Sequence, residues 1–118
     1  MRNDDWVKIA DYIHDINFNE HNLAQVTVNG TSVCIAKVND ELKACAAKCP
    51  HASGVMAQGY INALGHIVCP LHRYCFNLVT GHNVSGEGYH LSTYEVLTNE
   101  DGIFIKKSKR KGFLSVMN

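Results

Sequence analysis

Cys49-Pro50-His51 and, after seventeen intervening residues, Cys69-Pro70-Leu71-His72 decide how this chain is read; the second group runs on as Arg73-Tyr74-Cys75-Phe76-Asn77-Leu78-Val79-Thr80-Gly81. Each short loop offers one thiol and one imidazole, and two Cys with two His form a metal-ligand set. The spacing narrows the kind of metal. A single residue separates thiol from imidazole in Cys49-x-His51. That is a short bite for one tetrahedral ion, whose Cys pairs sit about two to four residues apart. A cluster of two metals removes the difficulty, because the Cys and the His of one loop then serve different ions. Pro50 and Pro70 each fix one φ angle and remove one N–H beside a ligand. The loops are stiffened, and their remaining N–H groups are left to aim at sulfur.

The pair C-P-H and C-P-L-H, followed by an aromatic at Tyr74, by x-F-x-L and by the Thr80-Gly81 turn, resembles the Rieske family. There two His replace two Cys on one iron of a [2Fe-2S] cluster. Within the family the chain resembles the small soluble Rieske-type ferredoxins, the electron carriers of ring-hydroxylating dioxygenase systems. The likeness runs over about residues 8–106. It implies an all-β fold of small antiparallel sheets, with a cluster-binding lobe inserted in a β base. It also implies one [2Fe-2S] cluster, with Cys49 and Cys69 on the inner iron and His51 and His72 on the outer iron near the surface. A structural zinc site built from the same four residues is the alternative, and its usual wider spacing argues against it.

At 118 residues the chain has room for one modest core, and 46% hydrophobic content is ordinary for a globular protein. The expected organisation is a single domain over 1–118, with the lobe at about 45–83, the base from 1–44 and 84–107, and a tail at 108–118. Formal net charge is zero, but Lys106, Lys107, Lys109, Arg110 and Lys111 hold five of the eleven basic residues. The six that remain face eleven acidic residues, so the body is mildly acidic and the tail basic. The tail reads as a solvated end rather than a nucleic-acid site. Residues 1–6 have no apolar h-region, and no apolar run reaches the eighteen or so residues of a membrane span. The expectation is therefore a cytoplasmic protein without signal peptide or membrane contact. Cys34, Cys45 and Cys75, outside the ligand set, read as small buried hydrophobes in a reducing cytosol.

Along the chain, residues 6–10 alternate as a first strand, and Ile13, Ile16 and Phe18 are expected to pack down from the polar stretch that follows. Asn29-Gly30 between two β-branched runs is a strong hairpin signal. It joins strands over 23–28 and 31–38, the second with Val33 and Ile35 on one face and Cys34, Ala36 and Val38 on the other. Residues 41–47 return as a strand into the first ligand loop. Tyr60-Ile61 and His66-Ile67-Val68 are expected as short strands, with His66 a surface residue, like His14, His21 and His82. Tyr74, Phe76 and Leu78 alternate with one face buried. Strands over 91–97 and 103–105 close a domain of roughly ten, and Phe113 and Leu114 are candidates to dock from the tail. In the family a loop at about 84–89 often bears proline and covers one side of the cluster; here it reads Val84-Ser85-Gly86-Glu87-Gly88-Tyr89, without proline.

The resemblance also orders the family by reduction potential. High-potential members carry a disulfide across the cluster, at positions matching Gly54 and Leu71, and a Ser and a Tyr at positions matching Tyr74 and Phe76. Phe76 donates no hydrogen bond. Donors aimed at sulfur stabilise the added negative charge of the reduced cluster, so their loss lowers the potential. A value toward the low end of the Rieske span, roughly −150 to +300 mV, is expected. The implied function is a soluble electron carrier between a reductase and a terminal oxygenase or similar redox protein, not a stand-alone catalyst. Lys48 and Arg73 flank the ligands as candidates to charge a docking face. The alternative is a Rieske-like small subunit of a larger oxidoreductase, such as assimilatory nitrite reductase. A redox sensor that uses the basic tail is a third class.

Overall fold

The computed structural model describes residues 5–107. The expectation for Phe113 and Leu114 lies outside them. The strands follow the chain as β1 (Val7–Ala10), β2 (Leu23–Val28), β3 (Thr31–Val38), β4 (Glu41–Ala46), β5 (Tyr60–Ile61), β6 (Ile67–Val68), β7 (Cys75–Phe76), β8 (Thr93–Asn99) and β9 (Gly102–Lys107). The fold is all-β, with two short 3-10 turns at Ile13–Asp15 and Met56–Gln58. All strand pairs are antiparallel. No helix among the described residues is long and apolar enough to cross a membrane.

Six strands form the base in the order β1-β9-β8-β4-β3-β2, and β5-β6-β7 form a second sheet. Turn chemistry sets the base register. Asn29 and Gly30 both take positive φ, 52° and 81°, as a two-residue hairpin requires. Asn39 and Asp40 do the same at 51° and 66°. Val28 is thereby paired with Thr31 and Val38 with Glu41. Strand β3 is buried on both faces, as its lack of polar residues between Val33 and Ala36 requires. Val33 and Ile35 pack with Ile16, Ala24, Ala44, Ile103 and Ile105 in a core on one side of the base. Cys34 and Ala36 face a second core, where Leu23, Cys45 and Leu91 meet Met56, Ile67, Phe76 and Leu78 from the inserted segment. This second core seats the lobe on the back of the base.

The lobe relies on turns. Asn62 Oδ1 accepts the Leu64 and His66 N–H groups at 3.0 and 3.1 Å. Asn77 Oδ1 accepts those of Val79 and Thr80 at 2.8 and 2.9 Å. Gly81 closes the second turn at φ 79°, and a Cβ there would lie 2.0 Å from the Leu91 carbonyl oxygen. Asn19 reaches across from the base and donates to the Ala57 carbonyl at 2.8 Å.

The details depart from the sequence reading in several places. Nine strands are present among the described residues, close to the expected ten or so. Ile13 is 44% exposed, because it opens a 3-10 turn that sends only Ile16 and Phe18 inward. His66 is half-buried and lies before β6. Cys34 and Cys45 are fully buried and paired across β3 and β4, but Cys75 is only partly buried. Within the buried pair, the Cys34–Cys45 hydrogen bond and then burial hold the Cys45 thiol well above its ordinary value.

Candidate metal centre

The first ligand loop leaves β4 at Ala46 and folds back on itself. Lys48 and Val55 form a bridge across its mouth. Cys49 N–H donates to the Gly54 carbonyl at 2.7 Å, and Ser53 N–H to the Cys49 carbonyl at 3.0 Å, with Ser53 at φ 58°. The second loop leaves β6 at once. Cys69 N–H donates to the Tyr74 carbonyl at 2.9 Å, and Leu71 N–H donates to Cys69 Sγ at 3.4 Å. His72 and Arg73 are both left-handed, at φ 62° and 60°. That conformation costs roughly 1–2 kcal/mol for a residue with a Cβ. The surrounding loop holds both residues in this conformation.

The loops bring three donor groups together. Cys49, His51 and Cys69 offer ligand atoms within 4.8 Å of one another, both thiols buried and the imidazole half-buried. Cys49 Sγ lies 3.3 Å from His51 Nδ1. His72 stands one imidazole further out: its Nδ1 is 2.9 Å from His51 Nε2, and the residue is exposed. Burial pushes the Cys69 thiol up to about 11; the Leu71 N–H pulls it down, and the neighbouring Cys49 sulfur adds to the rise. Both thiols must give up protons to a metal, so binding releases them.

The immediate surroundings leave little spare room beside the thiols. Gly54 is pressed against the site, where a Cβ would lie 2.8 Å from Cys69 Sγ and 3.1 Å from Leu71 Cγ. Gly54 and Leu71, the positions that the resemblance matched to a disulfide in high-potential members, therefore face each other. The two-thiol, two-imidazole donor set suits a two-iron cluster, in which His72 need not reach the same metal as the sulfurs.

Aromatic rings surround the imidazoles. Tyr74 lies over His51 with ring centroids 4.1 Å apart, and Tyr89 lies beside both at 5.6 Å from His51. Tyr74 and Tyr89 stack at 5.9 Å. Phe76 is fully buried beneath. Cys75 bonds to the Arg73 carbonyl at 3.6 Å and is not in the donor group. The sequence reading singled out neither Tyr89 nor Asn83, which holds the loop bearing it. An Asn ahead of a glycine-spaced loop was the available signal.

Two loops presenting thiol and imidazole from the end of a small antiparallel lobe define an iron–sulfur binding architecture. The chain belongs to the Rieske [2Fe-2S] domain family, whose family model matches residues 5–95. The cofactor of that domain is a [2Fe-2S] cluster. Apoptosis-inducing factor 3 of Homo sapiens is 28% identical over 89 residues, 75% of this chain but 14% of that protein. The chain thus spans a small part of the curated relatives it matches. In the complex of reduced oxygenase and oxidized ferredoxin of carbazole 1,9a-dioxygenase, one chain superposes with a TM-score of 0.73 at 23% identity, covering 90% of this chain and 98% of that one. A protein described as a nitrite reductase small subunit superposes with a TM-score of 0.71 at 20% identity, covering 85% of this chain and 96% of that one. These structural likenesses concern the fold.

Proposed function

We propose that this chain is a one-electron carrier that exchanges electrons at the tip formed by His51 and His72. In this reading Cys49 and Cys69 hold the inner iron, and His51 and His72 the outer. When bound, the cluster supplies reversible one-electron transfer. The observation that carries the reading is the gradient of exposure: both thiols are buried, His51 is half-buried and His72 is exposed. The imidazole end thus meets solvent and any docking protein. Lys48 and Arg73, both exposed and next to the ligands in sequence, are candidates to charge a docking face. The likeness to a chain of the carbazole dioxygenase ferredoxin–oxygenase complex supports a terminal oxygenase as acceptor; the donor in this proposal is a reductase. Cys34, Cys45 and Cys75, outside the ligand set and free as thiols, suit a reducing, cytoplasmic setting.

The potential is low in this reading. Phe76 has no hydroxyl, and Tyr74 lays its ring on His51. Purified protein should contain about two irons and two labile sulfides per chain and bleach with dithionite. Protein-film voltammetry should give a negative midpoint potential. A colourless protein with one zinc per chain sinks the electron-carrier reading, and a potential well above zero sinks the tuning argument. The likeness to a nitrite reductase small subunit supports a second reading, a relay subunit of a larger oxidoreductase. Tight co-purification with a large flavin- or haem-bearing chain would select it.

A further inference from the structure

Asn83 is 3% exposed, and its side-chain amide is occupied at both ends. Its Nδ2 faces the Cys75 carbonyl at 3.1 Å, Ser85 Oγ at 3.1 Å and Glu87 Oε1 at 2.9 Å. Its Oδ1 accepts the backbone N–H groups of Glu87 and Tyr89 at 2.8 and 3.2 Å. Ser85 Oγ donates to Glu87 Oε1 at 2.6 Å and accepts the Cys75 N–H at 2.9 Å. One buried amide therefore ties strand β7 to the whole loop 83–89. Gly86 and Gly88, at φ 90° and 89°, allow the loop to wrap around it. A buried amide left without partners costs about 1–3 kcal/mol, so this network has one favoured arrangement.

The loop ends at Tyr89, whose ring sits 5.6 Å from that of His51 and 5.9 Å from that of Tyr74. We infer that Asn83 is a positioning residue that holds Tyr89 against His51, so that the Tyr89 ring fixes the imidazole and keeps water from one side of it. A sequence without proline in this loop obtains its stiffness from a side-chain clamp instead. The inference rests on the ligand role proposed for His51. The clamp itself is tested without that role.

The experiment compares wild type, Asn83→Ala, Tyr89→Ala and the double variant. Amide hydrogen exchange is read at Glu87 and Tyr89, which donate to Asn83 Oδ1. The EPR spectrum and midpoint potential are read on the reduced holoprotein. In Asn83→Ala, exchange at both amides should quicken by about tenfold, the loss of a hydrogen bond of ~1.4 kcal/mol. The EPR g-values and the potential should move in the same direction in Asn83→Ala and Tyr89→Ala. The double variant should move no further than Tyr89→Ala alone, because Asn83 acts through Tyr89. Two results overturn the inference. One is an Asn83→Ala protein with a lowered Tm but the wild-type EPR spectrum and potential, which makes Asn83 a structural residue only. The other is additivity in the double variant. Should Asn83→Ala fail to fold, Ser85→Ala loosens the clamp from its exposed side. It is then expected to quicken exchange at Glu87 and Tyr89 and shift the spectrum in the same sense, and wild-type behaviour overturns the clamp. A wild type that lacks a Rieske EPR signal but keeps both amides protected overturns the ligand reading and supports the clamp.

Discussion

The base and the lobe share antiparallel pairing, yet they are held by different forces. In the base, β2 and β3 match over six consecutive pairs, from Leu23↔Ala36 to Val28↔Thr31. Strand β3 seals a core on each of its faces. In the lobe each strand is two residues long, and each ladder has two pairs. The apolar lobe residues Met56, Ile67, Phe76 and Leu78 lean on the back of the base. The rest of the lobe is pinned point by point, by Asn62, Asn77 and Asn83 each accepting two backbone N–H groups. A ladder tolerates the loss of one member. A pinned loop holds each ligand in one place but has little reserve, and the left-handed His72 and Arg73 draw on that reserve. Metal binding should therefore be linked to order in the lobe and hardly at all to order in the base.

The largest expected effect tests that linkage. Cys69→Ala should abolish the visible absorbance and collapse amide protection across β5, β6 and β7, while β2, β3 and β4 stay protected. Loss of protection in both regions together would show that they are one cooperative unit. The converse change is Ile35→Ala, in the middle of the base. Ile35 is fully buried, and its truncation should destabilise the protein by about 2–5 kcal/mol. Chemical denaturation measures the loss. The visible spectrum of the folded fraction should be unchanged, and an altered spectrum would mean that base packing reaches the metal centre.

The same contrast explains what the sequence made legible. The β2–β3 hairpin follows from Asn29-Gly30 and from alternation long enough to have a period. The two faces of β3 followed too, with Val33 and Ile35 in one core and Cys34 and Ala36 in the other. Two-residue strands have no period to read, and in the lobe the motif, not the pattern, located the candidate centre. Cys49, His51, Cys69 and His72 stand out by residue type and spacing, and the first three lie together. That His72 meets His51 across twenty-one positions is a tertiary fact. Asn83 was illegible for a related reason. Its burial is tied to Cys75, eight residues away, and to a loop that the sequence marks only by spaced glycines and missing proline. Ile13 misled because an apolar residue carries no mark of which way a 3-10 turn will face it.

Gly54 sharpens the comparison at intermediate size. Its φ is not in the left-handed region, so only space forbids a side chain there. Gly54→Ala sets a methyl 2.8 Å from Cys69 Sγ and 3.1 Å from Leu71 Cγ. Overpacking of this kind costs about 1–3 kcal/mol. The expected signature is faster iron release to a chelator and lobe amides that exchange faster than wild type, with base amides unaffected. Unchanged iron release would show that the ligand loops have more reserve than the pinned-loop account allows.

The smallest effect comes from pH. Glu87 has its carboxyl held below the ordinary value of 4.5, chiefly by the Ser85 hydroxyl; desolvation opposes this, and the Asn83 amide, its own backbone N–H and nearby His51 also lower it. The unfolded chain therefore takes up this proton at a higher pH than the folded one. The stabilisation is complete above the ordinary carboxylate value and disappears as pH falls through the depressed folded value. Glu87→Gln removes the titration, so its stability gap to wild type should be widest near neutrality and close on acidification below about pH 4.5. Denaturant midpoints of the two proteins, measured from pH 7 down to the limit of reversible unfolding, test the sign. A gap that widens on acidification would mean that Glu87 is held as the protonated acid. Because Glu87 is exposed, the gap should also shrink with added salt. The Asn83–Glu87 N–H bond has no net charge of its own to screen. Salt can therefore weaken the charge of the clamp while its geometry survives, and amide exchange at Glu87 separates the two.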